Sequence, residues 1–516
     1  MSGAKIALFF GAGAEIAYGL PSGGKFALDL FRTPVEEDKA EFRRQLENVD
    51  GTSNYATKWL PNGYLKKRVH VFGKGDFEGI VASSLEYRRE DILTYLELFD
   101  RHAAKLLERW VLDEETVRSR YHEEIGADIG DISYGQVIKL NNRLAESVRL
   151  FESDFFSAML KTLEASPDHR KLQQTVRAIL ELLVGACGQR LVSRLNEELF
   201  EAAPDQLSVF DDLSGIFSLD YRNVGQTGLE IVIEQPPVPV TAESDLADIM
   251  TGLGRAVLED VYAKVIDYQA LIDSHFRYLY NPKAHWAKFT RISIFLHTVR
   301  RYISTNNDID AGKLAVGPGF YHDLITLSEV ASIHAIGTTN YNSYVEQVIG
   351  GSSLPPVPVY HLNGSVNEYY DPYCNHISTN EELNGQAGTA GHITVPFLFT
   401  QSGVKPLTSI TMSRRYVELY DKFKQSDAIC IIGYAFNGDD GHINGLFRSL
   451  AVEGKPIMIY HYGTENELVL KKEYQTKLRL PAPDNLHIFT IDGARKTKGS
   501  IWWERALQET MLIPAT

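Results

Sequence analysis

The pattern of apolar and polar positions changes character twice along the chain. Lys5–Phe10 (KIALFF) is a continuous apolar run halted by glycine at Gly11. Such a run is the mark of a strand buried on both faces of a parallel sheet. The next stretch, AEIAYGLPSGG (14–24), is rich in turn formers and predicts a loop. Helical spacing resumes in KFALDLF (25–31), with Phe26, Leu30 and Phe31 on one side. The chain therefore opens strand, glycine loop, helix.

From about residue 84 to 305 the pattern is mainly helical. Leu172, Val176, Ile179, Leu183 and Ala186 step by three and four along one helix face. Residues 89–111, 136–163 and 289–303 read the same way. One interruption, TGLEIVIEQPPVPVT (227–241), predicts a β-like run closed by prolines. Strand patterns return after about residue 318, at 331–342, 357–366, 392–400, 428–437, 455–463 and 485–492, with helical stretches such as 413–425 between them. Alternating strands and helices predict an α/β fold with a doubly wound, mostly parallel, Rossmann-like sheet. A large, mainly helical insertion interrupts that sheet. The expected division is 1–34 for the first part of the sheet domain, 35–315 for the insertion and 316–516 for the remainder.

Composition narrows the function classes. The 516 residues are 44% hydrophobic and include 24 Phe, 26 Tyr and 5 Trp, enough for a sizeable core. Acidic residues outnumber basic ones, 67 to 52, which argues against a surface built to grip nucleic-acid phosphate. The three cysteines, Cys187, Cys374 and Cys430, form no CxxC pair, so a zinc ribbon of four cysteines cannot be built and no zinc is expected. Neither a signal-peptide pattern nor a membrane-length apolar stretch is present, so the expected setting is cytoplasmic, with no membrane partner.

Candidate chemistry starts at the glycine loop. A strand ending in Gly11-Ala12-Gly13 offers backbone N–H groups that a phosphate can approach without meeting a Cβ. A tight strand-to-helix turn without a ligand fits the same residues. The longer pattern GAGAEIAYGLPSG (11–23) resembles the first motif of the sirtuin fold, G-A-G-x-S-x-x-x-G-[IL]-P. Three more stretches resemble sirtuin motifs, in the family's order: GTTNYNSYVEQ (337–347), YHLNGSV (360–366) and IIGYAFNGDDGHIN (431–444). The resemblance covers about residues 4–32 and 332–445. It implies an NAD pocket at the carboxyl ends of the strands. The implied contacts are Gly11, Ala12, Gly13, Ala14, Pro21, Thr339, Asn340, Gly364, Ser365, Gly433, Tyr434, Asn437 and His442.

Deacylating sirtuins carry a four-cysteine zinc module that this chain lacks. The sequence is more similar to the bacterial sirtuin-like effectors of anti-phage defence, which hydrolyse NAD to ADP-ribose and nicotinamide. That resemblance implies NAD as substrate and, for assembly, a homo-oligomer, a second protein of a defence operon, or both; the second protein would be a HerA-like ATPase, an Argonaute-type protein or a nucleotide-sensing subunit. It also implies catalytic positions. Asn340 is the first, to hold a water or a ribose hydroxyl; capping of the helix beginning near Ser343 is the competing role. Asn363 stands where the family has the histidine of L-H-G-S, and His361 lies two residues earlier. On one strand these two would share a face, so His361 could supply the missing imidazole, or be a half-buried histidine bonded to a neighbouring strand. Glu15 replaces the family's serine, and Asn342 its aspartate. Glu15 either faces the ribose as acceptor or base, or is solvated at the mouth. An alternative function is a silent NAD- or ADP-ribose-binding subunit. Asp439, Asp440 and His442 form no convincing metal set.

Overall fold

The computed structural model describes residues 3–20, 23–110, 112–132, 149–187, 225–235, 240–265, 274–305, 309–385, 391–398 and 409–513. The chain divides into two compact units. One consists of Met1–Ser22, Thr33–Val71 and Gln269–Thr516; the other of Gly23–Arg32 and Phe72–Tyr268.

The first unit holds the strands: β1 (Lys5–Phe10), β2 (Ser332–Thr338), β3 (Val359–His361), β4 (Gly364–Asp371), β5 (His376–Thr379), β6 (Val395–Leu398), β7 (Ala428–Ile432), β8 (Ile457–Tyr462) and β9 (Leu486–Ile491). Six of them form one sheet in the order β3-β2-β1-β7-β8-β9, every neighbour parallel. Counted within that sheet the order is 3-2-1-4-5-6, the doubly wound arrangement of dinucleotide-binding sheets. The apolar pattern of β1 explains its central place. Ile6, Leu8 and Phe10 pack into one layer with Tyr321, Leu324 and Trp502. Ala7 and Phe9 pack into the opposite layer with Leu419, Phe423 and Phe447.

Several sequence expectations need correction. The run at 392–400 contributes β6 to a separate antiparallel sheet, order β5-β4-β6, not to the parallel one; 399–400 lie outside the described residues. The run at 357–366 is not one strand: β3 ends at His361 and β4 begins at Gly364. Ala12–Tyr18, expected as loop, is a 3-10 helix. Helix Gly23–Arg32 forms as expected.

The second unit is helical among its described residues. Helix Arg170–Cys187 buries Leu172, Val176, Ile179, Leu183 and Ala186, the face its spacing predicts. The β-like run at 227–234 is instead part of helix Gln226–Glu234. Its C-terminal end is held by two arginines: the Arg255 guanidinium donates to the carbonyls of Ile231 (2.7 Å), Val232 (3.3 Å) and Gln235 (2.6 Å), and Arg32 Nε donates to that of Val232 at 2.9 Å. Those carbonyls have no partner within a helix, and a cation there also suits the helix dipole. Segment 89–111 forms two helices, Arg89–Glu97 and Phe99–Arg109. The first part of 136–163 lies outside the described residues, and the rest includes helix Asp154–Ala165. Among the described residues, no helix is long and apolar enough to cross a membrane.

Candidate functional site

The strand order reverses between β1 and β7, and the loops leaving these two strands lie back to back. The Gly11 N–H donates to the Ile432 carbonyl at 2.9 Å, and the Gly13 N–H to the Gly433 carbonyl at 2.9 Å. Glycine is needed because the backbones nearly touch. A Cβ on Gly11 would sit 2.4 Å from the Gly433 oxygen, and one on Gly433, whose φ is +69°, 2.1 Å from the Ala14 nitrogen. This corrects the expectation that the Gly11 and Gly13 N–H groups are offered to a phosphate. They are used inside the protein, and the glycines serve first to let two loops meet. Ala12 is exposed on this loop, and Ala14 is buried beneath it.

Behind the loop lies a buried polar network. Glu15 is 2% exposed, which overturns the reading of a solvated carboxylate at the mouth. Its Oε1 accepts from the Tyr321 hydroxyl at 2.6 Å, and its Oε2 from the Asn342 amide at 2.7 Å. Burial raises its pKa to about 7, although the bonds from Tyr321 and Asn342 oppose the rise. The Asn340 amide donates to the Gly11 carbonyl and to the Tyr321 hydroxyl, both at 3.2 Å. Asn340 is thus no helix cap. At the start of helix Tyr344–Gly350 it is the Asn342 Oδ1 that accepts the Tyr344 N–H, at 3.2 Å. Tyr321 is fixed in turn by Tyr18, whose hydroxyl accepts the Tyr321 N–H at 3.0 Å and whose ring stacks on it.

A second branch reaches β3. His361 Nδ1 lies 2.8 Å from the Asn340 carbonyl, and its Nε2 lies 2.6 Å from Glu346 Oε1. Burial pulls the imidazole pKa down, but the Glu346 bond and charge outweigh it, and the net direction is up. With both ring nitrogens engaged, His361 holds the Asn340 backbone. His361 and Asn363 do not lie on one strand: β3 ends at His361 and β4 begins at Gly364, whose φ is +81°. Asn363 is 3% exposed and donates to the Thr339 carbonyl at 3.5 Å. Thr339 itself donates its N–H to Phe10 at 3.1 Å. Arg415 completes this edge, bonding the His361 carbonyl at 2.7 Å and pairing with the buried carboxylate of Glu368.

The remaining implied contacts divide by location. Gly364 abuts β6, where a Cβ would meet the Phe397 oxygen, and Ser365 Oγ accepts the Asn367 N–H at 3.1 Å. Tyr434 is core: its ring packs edge-on against Phe9 and Phe436, and its hydroxyl donates to Asn444 at 3.0 Å. Asn437 is exposed, with its carbonyl taking the Asn444 amide at 2.8 Å. His442 is half-buried against the Tyr416 ring. Pro21 lies outside the described residues. Sequence reasoning missed Tyr321, Glu346 and Arg415. Tyr321 is one tyrosine among 26 and Glu346 one acidic residue among 67, so neither type stands out without a fold to place it.

No known protein-family model matches the sequence, and no curated protein matches it. Among solved structures the chain is similar to Sir2 enzymes. One is Sir2 with the inhibitor EX-527, 2'-O-acetyl-ADP-ribose and a deacetylated p53 peptide: 16% identity over 48% of this chain and 87% of that chain, TM-score 0.27. Another is Sir2 with a p53 peptide and NAD+: 16% identity over 47% and 83%, TM-score 0.25. A third, from work on the mechanism and regulation of Sir2 enzymes, is 14% identical over 39% and 72%, TM-score 0.24.

Proposed function

We propose that the chain binds NAD at the carboxyl ends of β1, β2, β3 and β7 and hydrolyses its nicotinamide–ribose bond to give ADP-ribose and nicotinamide. One observation carries this reading. Glu15, Asn340, His361 and Asn363, drawn from three distant stretches of chain, lie in adjoining hydrogen-bonded groups at the tips of β1, β2 and β3. That is also where an open α/β sheet takes its ligands. In this reading the Asn340 amide hydrogens are fixed by the protein, and its Oδ1 receives a water or a ribose hydroxyl. Water forms the new bond to the anomeric carbon as the C–N bond breaks, the electron pair leaves with nicotinamide, and the proton lost by the water passes to solvent. The transition state is cationic at the sugar, so a rigid set of oxygen dipoles favours it. Glu15 and Tyr321 position Asn340, and His361 positions its backbone.

The test follows nicotinamide release from NAD by the purified full chain, with binding measured by calorimetry. Release that is lost in Asn340→Ala, with NAD binding kept, supports the reading; no binding by the wild type defeats it. The motif resemblance extends the proposal to a regulated effector of bacterial anti-phage defence, so release is also measured with the product of the neighbouring gene. A second reading, an NAD- or ADP-ribose-binding subunit without turnover, is favoured by Asn363 at the family's histidine position. Binding without release under either condition selects it.

A further inference from the structure

The small sheet of β4, β5 and β6 brings together three side chains that the network above does not use. Asp371 ends β4, Cys374 lies in the turn to β5, and His392 lies just before β6. The Cys374 Sγ is 3.8 Å from His392 Nδ1, and Asp371 Oδ2 is 2.6 Å from that same nitrogen. All three ligand atoms lie within 4.8 Å of one another.

Each member is held from behind. Asp371 Oδ1 accepts the N–H groups of Tyr373 (2.8 Å) and Cys374 (3.3 Å), which leaves Oδ2 directed at His392. The His392 ring stacks on Tyr55, with centroids 4.1 Å apart, and meets the edge of Tyr373. Tyr55 is itself fixed, its hydroxyl accepting the Ile393 N–H at 2.9 Å. Asp371 is 4% exposed, whereas Cys374 faces solvent.

Two chemistries use these residue types. A thiol nucleophile needs its histidine between thiol and carboxylate, one on each ring nitrogen. Here both partners approach Nδ1, so the relay is not formed. Convergence of a thiol, an imidazole and a carboxylate on one point is instead a metal-ligand arrangement. Ligands at roughly 2.0–2.3 Å from a tetrahedral zinc ion lie about 3.3–3.8 Å apart. The Cys374–His392 spacing of 3.8 Å already suits that geometry. The Asp371–His392 pair, hydrogen-bonded at 2.6 Å, opens as the ion replaces the shared proton, which moves off Nδ1. Three cysteines exclude a four-thiolate site but leave a mixed one open.

We propose that Asp371, Cys374 and His392 bind a zinc-class divalent cation through Oδ2, Sγ and Nδ1, with solvent in the fourth position. The ion would tie the β4–β5 turn to the segment entering β6. Thiolate with imidazole selects zinc over magnesium or calcium, and cobalt serves as its visible probe. The proposal does not depend on NAD chemistry.

The test titrates the full chain, stripped of metal by a chelator, with Co²⁺. The expected result is a thiolate-to-cobalt charge-transfer band that saturates at about one equivalent and is displaced by Zn²⁺. Cys374→Ser should lose the band while its metal-free circular dichroism stays that of the wild type, since the side chain it replaces is exposed. Asp371→Asn keeps the turn's acceptor oxygen, and both it and His392→Gln should weaken uptake about tenfold or more. Cobalt at the cluster of His169, Asp245 and Asp248 would give no thiolate band, which separates the two sites. A wild type without the band overturns the proposal, as does a band that survives Cys374→Ser.

Discussion

Glu15 and Tyr321, 306 positions apart, share a 2.6 Å hydrogen bond inside the protein. The carboxyl is fully buried, and burial is the main reason that it titrates near 7 instead of its ordinary 4.5. The sign of the consequence follows from linkage. Between those two values the folded chain keeps a proton that the unfolded chain has released. Stability therefore falls as pH rises from about 4.5 to about 7 and levels off above, by an amount on the order of 3 kcal/mol. Glu15→Gln, which mimics the protonated acid, should remove this contribution. Denaturant midpoints at pH 5 and pH 8 check it: the variant should gain on the wild type at the higher pH. An equal difference at both pH values would show that Glu15 is not the titrating group.

The same bond makes Tyr321 a supporting residue for Asn340. Tyr321→Phe keeps the ring packed against Phe10 and Tyr18 but removes the hydroxyl that joins Glu15 to the Asn340 amide. One buried acceptor and one buried donor each lose a partner, which should cost about 1–3 kcal/mol of stability. Under the proposed function, nicotinamide release should fall with little change in NAD affinity. Parallel unfolding and turnover measurements separate the two effects.

These residues show what the sequence could and could not convey. KIALFF announced a central parallel strand because both of its faces are covered, and no polar alternation is then required. The glycines at 11, 13 and 433 were legible as loop positions, but their physical task was not, since it depends on β7 lying beside β1. The β-branched residues of 226–234 match a strand pattern, while the carbonyls at the end of this helix are taken by Arg255 and Arg32, residues that the local pattern does not include. The run through His361 and Asn363 reads as one strand because its pattern does not mark Gly364, which lies against the Phe397 backbone of β6, far along the chain. Asn340 and Glu15 were found by motif, whereas Tyr321 and Glu346 became visible only through their bonds to them.

The meeting of the two glycine loops predicts a sharp contrast between neighbouring substitutions. Gly433→Ala forces a side chain into the left-handed region and against the Ala14 nitrogen, a backbone atom that cannot swing aside. It should cost at least about 2–3 kcal/mol. Gly438→Ala, with nothing within 4 Å of the added carbon, should be close to neutral. Chemical denaturation of the two variants decides this. A Gly433→Ala protein as stable as the wild type would mean that the loops do not meet as described.

The branch through His361 carries its own pH signature. Burial alone would lower the imidazole pKa, so its net rise depends on Glu346. A histidine raised on folding contributes stability that is complete below its unfolded pKa, about 6.5, and lost as pH climbs through the folded value. Glu346→Gln removes the charge and keeps the size. The ring should then titrate lower, because the desolvation cost remains without its compensation. Imidazole NMR titration of the wild type, with the His361 signal assigned by its absence in His361→Gln, measures the shift directly. An unchanged pKa in Glu346→Gln would show that the pair at 2.6 Å does not govern the ring. The histidine and Glu15 act in the same direction, each favouring the folded site at mildly acidic pH.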